Sequence, residues 1–342
     1  MWQTVGQSRA VALLRYSLEQ GAMAHAYLIV GPPHVGKMTL ALDLARAVNC
    51  LGDEPPCGQC DPCLKIAAGR HADVQIIGLE STGDAVDKPR TEIGIDQVRE
   101  LQHSSSLPPF EGRYRVYIID GAELMSTEAA NCLLKTLEEP PGVVIFVLLT
   151  SNESALLATV VSRCQRLELR PLPASQVGVA LSEGRGVEPK KAELLARLSH
   201  GCLGWAIAAA NDENILEQRD QRLDKMLDIM RADYEERFDY VNQLVAWFSQ
   251  SRGLVQEILD LWLDWWRDLL LVKLGCGDDV TNIDRQEMLA GLAQGYGLAE
   301  VRAFIGAIQA AGEQLAKNAN PRLVLEVLML GLPERRAAVN YG

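Results

Sequence analysis

GPPHVGKM occupies positions 31–38, with the apolar run AYLIV (26–30) before it and a helical pattern from Lys37 to Val48 after it. A short apolar strand turning through a glycine-containing loop into a helix is the arrangement that wraps backbone N–H groups around phosphates at a helix N-terminus. Gly31 and Gly36 allow the tight curve, and Lys37 places an ammonium where outer phosphates would lie. A strand apolar at every position must be buried on both faces, which requires a parallel sheet with helices on each side. Further strands of that kind follow: VQII (74–77), RVYII (115–119) and VVIFVLL (143–149), separated by helical segments and preceded by a helix over about 8–20. Residues 1–171 therefore read as an α/β domain.

Beyond Pro171 and Pro173 the strand signals stop. Two short amphipathic stretches, 175–184 and 189–198, suggest a small helical domain over 172–212. Longer helices follow from about Asn214, including EILDLWLDWWRDLLLVKL (257–274) and a Gly- and Asp-rich break at 275–279; residues 213–342 read as a third, all-helical domain. Trp262, Trp265 and Trp266 share one helical face, the spacing of core packing. A chain of 342 residues accommodates this division. The stretch 80–90, STGDAVDKPR after Glu80, reads as a mobile loop.

Charge and hydropathy exclude some functions. With 45 acidic against 33 basic residues the net charge is −12, so no long-range field grips polyanions indiscriminately. Basic residues are dispersed, with no basic stripe interleaved with aromatics. No apolar run approaches the roughly 18–20 residues of a membrane helix, and MWQTVGQSRA does not read as a secretory signal, so a cytoplasmic location is expected.

The phosphate loop lacks a part. Its last position should supply a Ser or Thr hydroxyl to Mg²⁺, but Met38 offers only a soft thioether. Thr39 is rotated about 100° round the helix from that position and is a poor substitute. Asp120, after RVYII, fits the acid that holds the metal through water. Lys37 and the backbone remain available to ATP, so nucleotide binding is left open.

Cys50, Cys57, Cys60 and Cys63 form C-x6-C-x2-C-x2-C, a spacing that wraps four thiolates round a tetrahedral Zn²⁺. Four protein ligands leave no open position, so the zinc is expected to be structural. Cys132, Cys164, Cys202 and Cys276 read as core or interface residues. His71 reads as a surface histidine, with an outer role at the cluster as the alternative.

Two further motifs carry a resemblance: NCLLKTLEEPP (131–141) and SRC (162–164). The order GPPHVGKM, IIDGAEL, NCLLKTLEEPP, LLTSNE and SRC resembles the clamp-loader branch of AAA+ ATPases, and NANPRLVLEVLMLGL (318–332) is similar to the final helix of its bacterial members. The fold implied is an AAA+ domain with a zinc module at about 50–63, a small helical lid and an all-α collar through which subunits assemble. In the motors of this branch a Glu follows the metal-binding Asp and an arginine sits in the second domain. Here Gly121 and Ala122 follow Asp120, Glu123 stands too far round to act as the base, and GCLGWA (201–206) puts Gly204 at the arginine's position. Three departures favour the delta-prime branch of DNA polymerase III clamp loaders over the gamma/tau motors. The resemblance then implies that Arg163 is an arginine finger reaching in trans into a neighbour's ATP site, with Thr150 and Ser151 in the sensor-1 region. The implied partners are gamma/tau and delta subunits, the beta sliding clamp, and primed DNA through the assembled complex. The chain would be a component of the polymerase III holoenzyme and not itself an active ATPase. The rivals are an active gamma/tau-like motor and a zinc-stabilised nucleotide-binding module outside replication.

Overall fold

The strand that precedes the loop, β1 (Ala26–Val30), lies inside a parallel sheet, and its side chains divide between two cores. Tyr27 and Ile29 face one layer with Leu14, Leu40 and Leu44; Ala26 and Leu28 face the other with Leu133 and Leu137. This period-two division, buried on both sides, is why the run is continuously apolar. The computed structural model describes residues 1–79, 91–140 and 142–334; the loop read at 80–90 and Pro141 lie outside them.

In chain order the α/β elements are α1 (Ser8–Glu19), β1, α2 (Lys37–Asn49), α3 (Asp61–Ala67), β2 (Val74–Ile77), α4 (Ile95–Ser105), β3 (Arg115–Asp120), α5 (Thr127–Glu138), β4 (Val144–Thr150), α6 (Ala158–Val161) and β5 (Gln165–Glu168). The sheet order is β2-β3-β4-β1-β5, all parallel. Every residue of β4 is buried. Because β1 sits between β4 and β5, the loop after it opens at the carboxyl ends of the strands, where open α/β sheets place their ligand crevice. One buried carboxylate fixes the opposite end of the sheet: Asp73 accepts hydrogen bonds from the backbone N–H groups of Phe110, Glu111 and Gly112 at 2.7–2.8 Å and from Arg115 Nε at 3.2 Å. His71 is not a surface residue as expected. It is buried beside this network, its Nδ1 accepting the Asp73 N–H at 3.2 Å.

Contacts divide the chain into two compact units: Met1–Ala180 with Gly201–Trp205, and Leu181–His200 with the residues from Ala206 on. The helices that continue the chain are α7 (Ala174–Arg185), α8 (Pro189–Leu198), α9 (Leu203–Asn211), α10 (Glu213–Arg231), α11 (Tyr234–Gln250), α12 (Arg252–Lys273), α13 (Gln286–Ala293), α14 (Leu298–Ala316) and α15 (Pro321–Leu330). In the second unit the tryptophans of α12 form the centre of the core. Trp266 meets Phe304 and Tyr296 edge-on at ring-centroid distances of 4.7 and 5.2 Å, and Trp262 stacks on Tyr240 at 6.3 Å. Asp268, fully buried on the same helix, accepts the backbone N–H groups of Thr281 and Asn282 and so fastens the segment after the Gly- and Asp-rich break.

Candidate functional site

At the carboxyl ends of β1, β3 and β4 lies a cavity of about 850 Å³, lined by Lys37, Met38, Thr39, Asp120, Glu123, Ser151 and Gly204 among others. Its floor is the loop after β1. Gly31 must be glycine because a Cβ there would lie 2.7 Å from the Leu169 carbonyl oxygen, and Gly36, the residue before α2, has φ +105°. That geometry delivers the free N–H groups of the first turn of α2 to the cavity. Lys37 curls over the loop, its Nζ donating to the carbonyls of Gly31 at 2.6 Å and Pro32 at 2.8 Å. Burial holds its pKa below the ordinary lysine value against the pull of Glu123 and Asp120.

Met38, Asp120, Gly121 and Gly204 line the same cavity. Met38 borders the cavity while also packing against the core that contains Leu40 and Leu44. The carboxylates that line the cavity with Met38 are those of Asp120 and Glu123, the latter engaged with Ser151, and a thioether cannot complete a hard-cation shell. The residues present therefore do not fit a bound Mg²⁺ of the usual kind. Gly121, at the glutamate position, has φ +74° and brings no side chain. Gly204 is more than a missing arginine: its N–H donates to the His34 carbonyl at 2.9 Å, and a Cβ there would sit 2.7 Å from that same oxygen. The backbone at the start of α9 thus touches the phosphate loop itself. Nothing in the residues around Gly204 signals this contact, which joins segments far apart in the chain.

Glu123 has partners of its own. Its Oε1 accepts the Ser151 N–H at 3.0 Å and the Ser151 hydroxyl at 2.6 Å, tying the turn after β3 to the end of β4. Burial pushes its pKa up, but the Ser151 and backbone hydrogen bonds outweigh that and hold it below the ordinary glutamate value. It is ionised at neutral pH.

At the other end of α2 the four cysteines come together. All four Sγ atoms lie within 4.8 Å of one another, and Cys50 Sγ is 3.9 Å from Cys60 Sγ. A tetrahedron with metal–sulfur bonds of about 2.3 Å has edges of roughly 3.8 Å, so the cluster fits Zn²⁺. Backbone donors already address the sulfurs: the N–H groups of Gly52 and Cys57 point to Cys50 Sγ at 3.4 and 3.2 Å, and that of Cys60 to Cys57 Sγ at 3.3 Å. Hydrogen bonds from the Gln59 and Cys60 backbone lower the Cys57 thiol to about 6, whereas burial pushes Cys63 up to about 12. A four-cysteine cluster able to bind zinc is present, with no side left for a reacting water.

Arg163, between α6 and β5, is half-buried. Its guanidinium donates to Glu138 Oε1 at 2.5 Å and to the Thr159 carbonyl at 2.9 Å. Glu138 closes α5, the helix of NCLLKTLEEPP, and both partners keep solvent contact.

Comparison with known proteins identifies the chain's relatives. Residues 6–173 match the family model described as DNA polymerase III, delta subunit, and residues 216–334 match its C-terminal model. The chain is 30% identical to the DNA polymerase III delta-prime subunit of Bacillus subtilis over 96% of both chains. It is 32% identical to the tau subunit of Escherichia coli K12 over 280 residues, spanning 75% of this chain but 42% of tau. A solved gamma subunit-related protein of Thermotoga maritima, 19% identical, aligns over 94% of this chain with a TM-score of 0.48. No helix among the described residues is long and apolar enough to cross a membrane. By its near full-length similarity to delta-prime, the chain belongs to the DNA polymerase III delta-prime family of clamp-loader subunits, with gamma/tau as wider kin.

Proposed function

We propose that this chain is the non-hydrolysing stator of a bacterial replicative clamp loader. It works in the cytoplasm with gamma/tau and delta subunits, caps the arc of motors, and helps place the beta sliding clamp on primed DNA. The observation that carries the reading is the cavity's composition: Lys37 and Asp120 persist, while Met38, Gly121 and Gly204 stand where metal, base and sensor groups would act. Such a cavity has no means to activate water. Arg163 instead acts outward, leaving Glu138 to place its guanidinium against the γ-phosphate in a neighbour's site, where it offsets developing charge. An exposed ion pair of this kind is worth about 0–1 kcal/mol, so releasing it costs little. The four cysteines hold a structural Zn²⁺ that folds the segment between α2 and α3. The division into a nucleotide-binding-like domain (1–171), a lid (172–212) and a collar (213–342) belongs to the same proposal.

The test is reconstitution. Arg163→Ala should enter the loader normally and lower its DNA- and clamp-stimulated ATPase. An arginine finger is worth roughly 10³–10⁵ in turnover at the site it serves, so the complex should lose at least that site's share. Unchanged ATPase with full incorporation overturns the reading. The presence of Lys37 and Asp120 in one cavity favours a second reading, an active gamma/tau-like motor. ATP turnover by the isolated chain above background would establish that motor.

A further inference from the structure

The cavity carries an anion of its own. Glu123 reaches from the turn after β3 to the end of β4, and its Oε1 takes both the N–H and the hydroxyl of Ser151. Its other oxygen, Oε2, is buried and makes no hydrogen bond of ordinary geometry, although the Thr150 hydroxyl is close enough to help hold the carboxyl's pKa down. Glu123, Ser151, Asp120 and Lys37 all line the same space, as do Met38 and Thr39 of the first turn of α2. A polyphosphate seated on that helix N-terminus and Lys37 would extend its outermost group toward the ends of β3 and β4. The donors waiting there are the two groups of Ser151 that Glu123 already engages.

We infer that Glu123 is a resident anion at the outer-phosphate end of this cavity, a specificity-determining residue that discriminates against a nucleoside triphosphate relative to a diphosphate. Two anions sharing one set of donors disfavour each other's charged forms. Asp120 adds a second carboxylate nearby, and Met38 supplies no ligand for a divalent cation that could neutralise the pair. A diphosphate presents one charged group fewer to these carboxylates and meets less of this repulsion. The inference deepens the stator reading and rests on it, since it takes the cavity as a nucleotide-type site that does not hydrolyse.

Equilibrium dialysis of the full chain with labelled ATP and labelled ADP, in EDTA at fixed ionic strength, tests it. Glu123→Gln keeps an acceptor for Ser151 and removes the charge. It should raise ATP affinity by about tenfold or more and ADP affinity by less than about threefold, the scale expected for relief of one like-charge contact in a partly buried site. Glu123→Ala should give the same split, which keeps the test decisive if the glutamine variant is unstable. Asp120→Asn removes one charge from the same cavity away from the Ser151 donors and should raise both affinities together. An ATP gain below threefold in both Glu123 variants, an ADP gain as large as the ATP gain, or an Asp120→Asn effect confined to ATP would each overturn the assignment of Glu123. None of these touches the stator reading, which stands or falls on Arg163 in the assembled loader.

Discussion

Helix α2 ends in two different sites. At its N-terminus Gly36 and Lys37 open the phosphate cavity; at its C-terminus Cys50 begins the cysteine cluster. The cluster has every ligand its chemistry requires, within 4.8 Å and with backbone donors already aimed at the sulfurs. The cavity keeps the backbone form of a phosphate loop together with Lys37 and Asp120, but Met38, Gly121 and Gly204 border it without an oxygen ligand, a carboxylate or a guanidinium. On the stator reading, shape and function have separated at one end of the helix and stayed together at the other. A loop motif shows that phosphate could be held; the completeness of the donor set decides whether anything is done with it.

The sharpest way to break this contrast is at the complete end. Cys63 is buried beside the Arg46 carbonyl, so Cys63→Ser removes a ligand where solvent cannot replace it. Structural zinc in small modules supplies folding free energy on the order of 10 kcal/mol. The expected result is zinc content below about half an equivalent and a lower melting temperature, with chelation of the wild type having a similar effect. A variant with full zinc content would mean that Cys63 is not a required ligand, and a wild type with none would leave the cluster as four reduced thiols.

A smaller effect is expected at Asp73, which shapes the opposite end of the sheet from the cavity. Its hydrogen bonds hold the carboxyl below the ordinary value despite burial, which alone would raise it. A depressed carboxylate stabilises the fold above its unfolded pKa of about 3.9 and loses that contribution as pH falls through the folded value. Stability should therefore be level near neutrality and decline below about pH 4. Asp73→Ala should cost about 3 kcal/mol at pH 7, because three loop N–H groups and Arg115 lose their acceptor. Chemical denaturation at pH 7 and pH 3.5 checks both, and a variant as stable as wild type at pH 7 would mean the loop finds other acceptors.

Gly204 sharpens the contrast at the incomplete end. Any side chain there must displace the His34 carbonyl 2.7 Å away, which is backbone and cannot simply swing aside. Gly204→Ala is expected to cost roughly 1–3 kcal/mol through overpacking. Gly204→Arg should cost at least as much and restore no ATP turnover. A stable arginine variant that hydrolyses ATP would show that the site is suppressed by one residue and not dismantled.

Much of this was legible from residue patterns because it depends on local chemistry. The unbroken apolar runs of β1 and β4 announced two buried faces, the three tryptophans of α12 announced a core, and four cysteines in close spacing announced a cluster. What could not be read depends on contacts between distant segments. Nothing near His71 says that Asp73 and the loop at 110–112 close over it. Nothing in GCLGWA says that Gly204 meets His34. Glu123 looked displaced when judged by its distance from Asp120 along the chain; its role emerges only once β3 and β4 pair and bring Ser151 beside it.

The smallest effect predicted for an isolated chain concerns Arg163. Its bond to Glu138 is made between side chains that are 33% and 51% exposed, so solvent screens the pair; the guanidinium's second bond, to the Thr159 carbonyl, is also exposed, and the Arg163 backbone N–H keeps its bond to the Val160 carbonyl without the side chain. Arg163→Ala should change the stability of the isolated protein by no more than about 0.5 kcal/mol. A cost well above 1 kcal/mol in urea denaturation would identify the arginine as a structural strut joining α5 to the α6 turn. Near-neutrality alone, combined with a large loss of ATPase in the assembled loader, would separate the residue's two settings: inside this chain it is dispensable, and its chemistry is exported to a neighbour whose cavity retains what this one has lost.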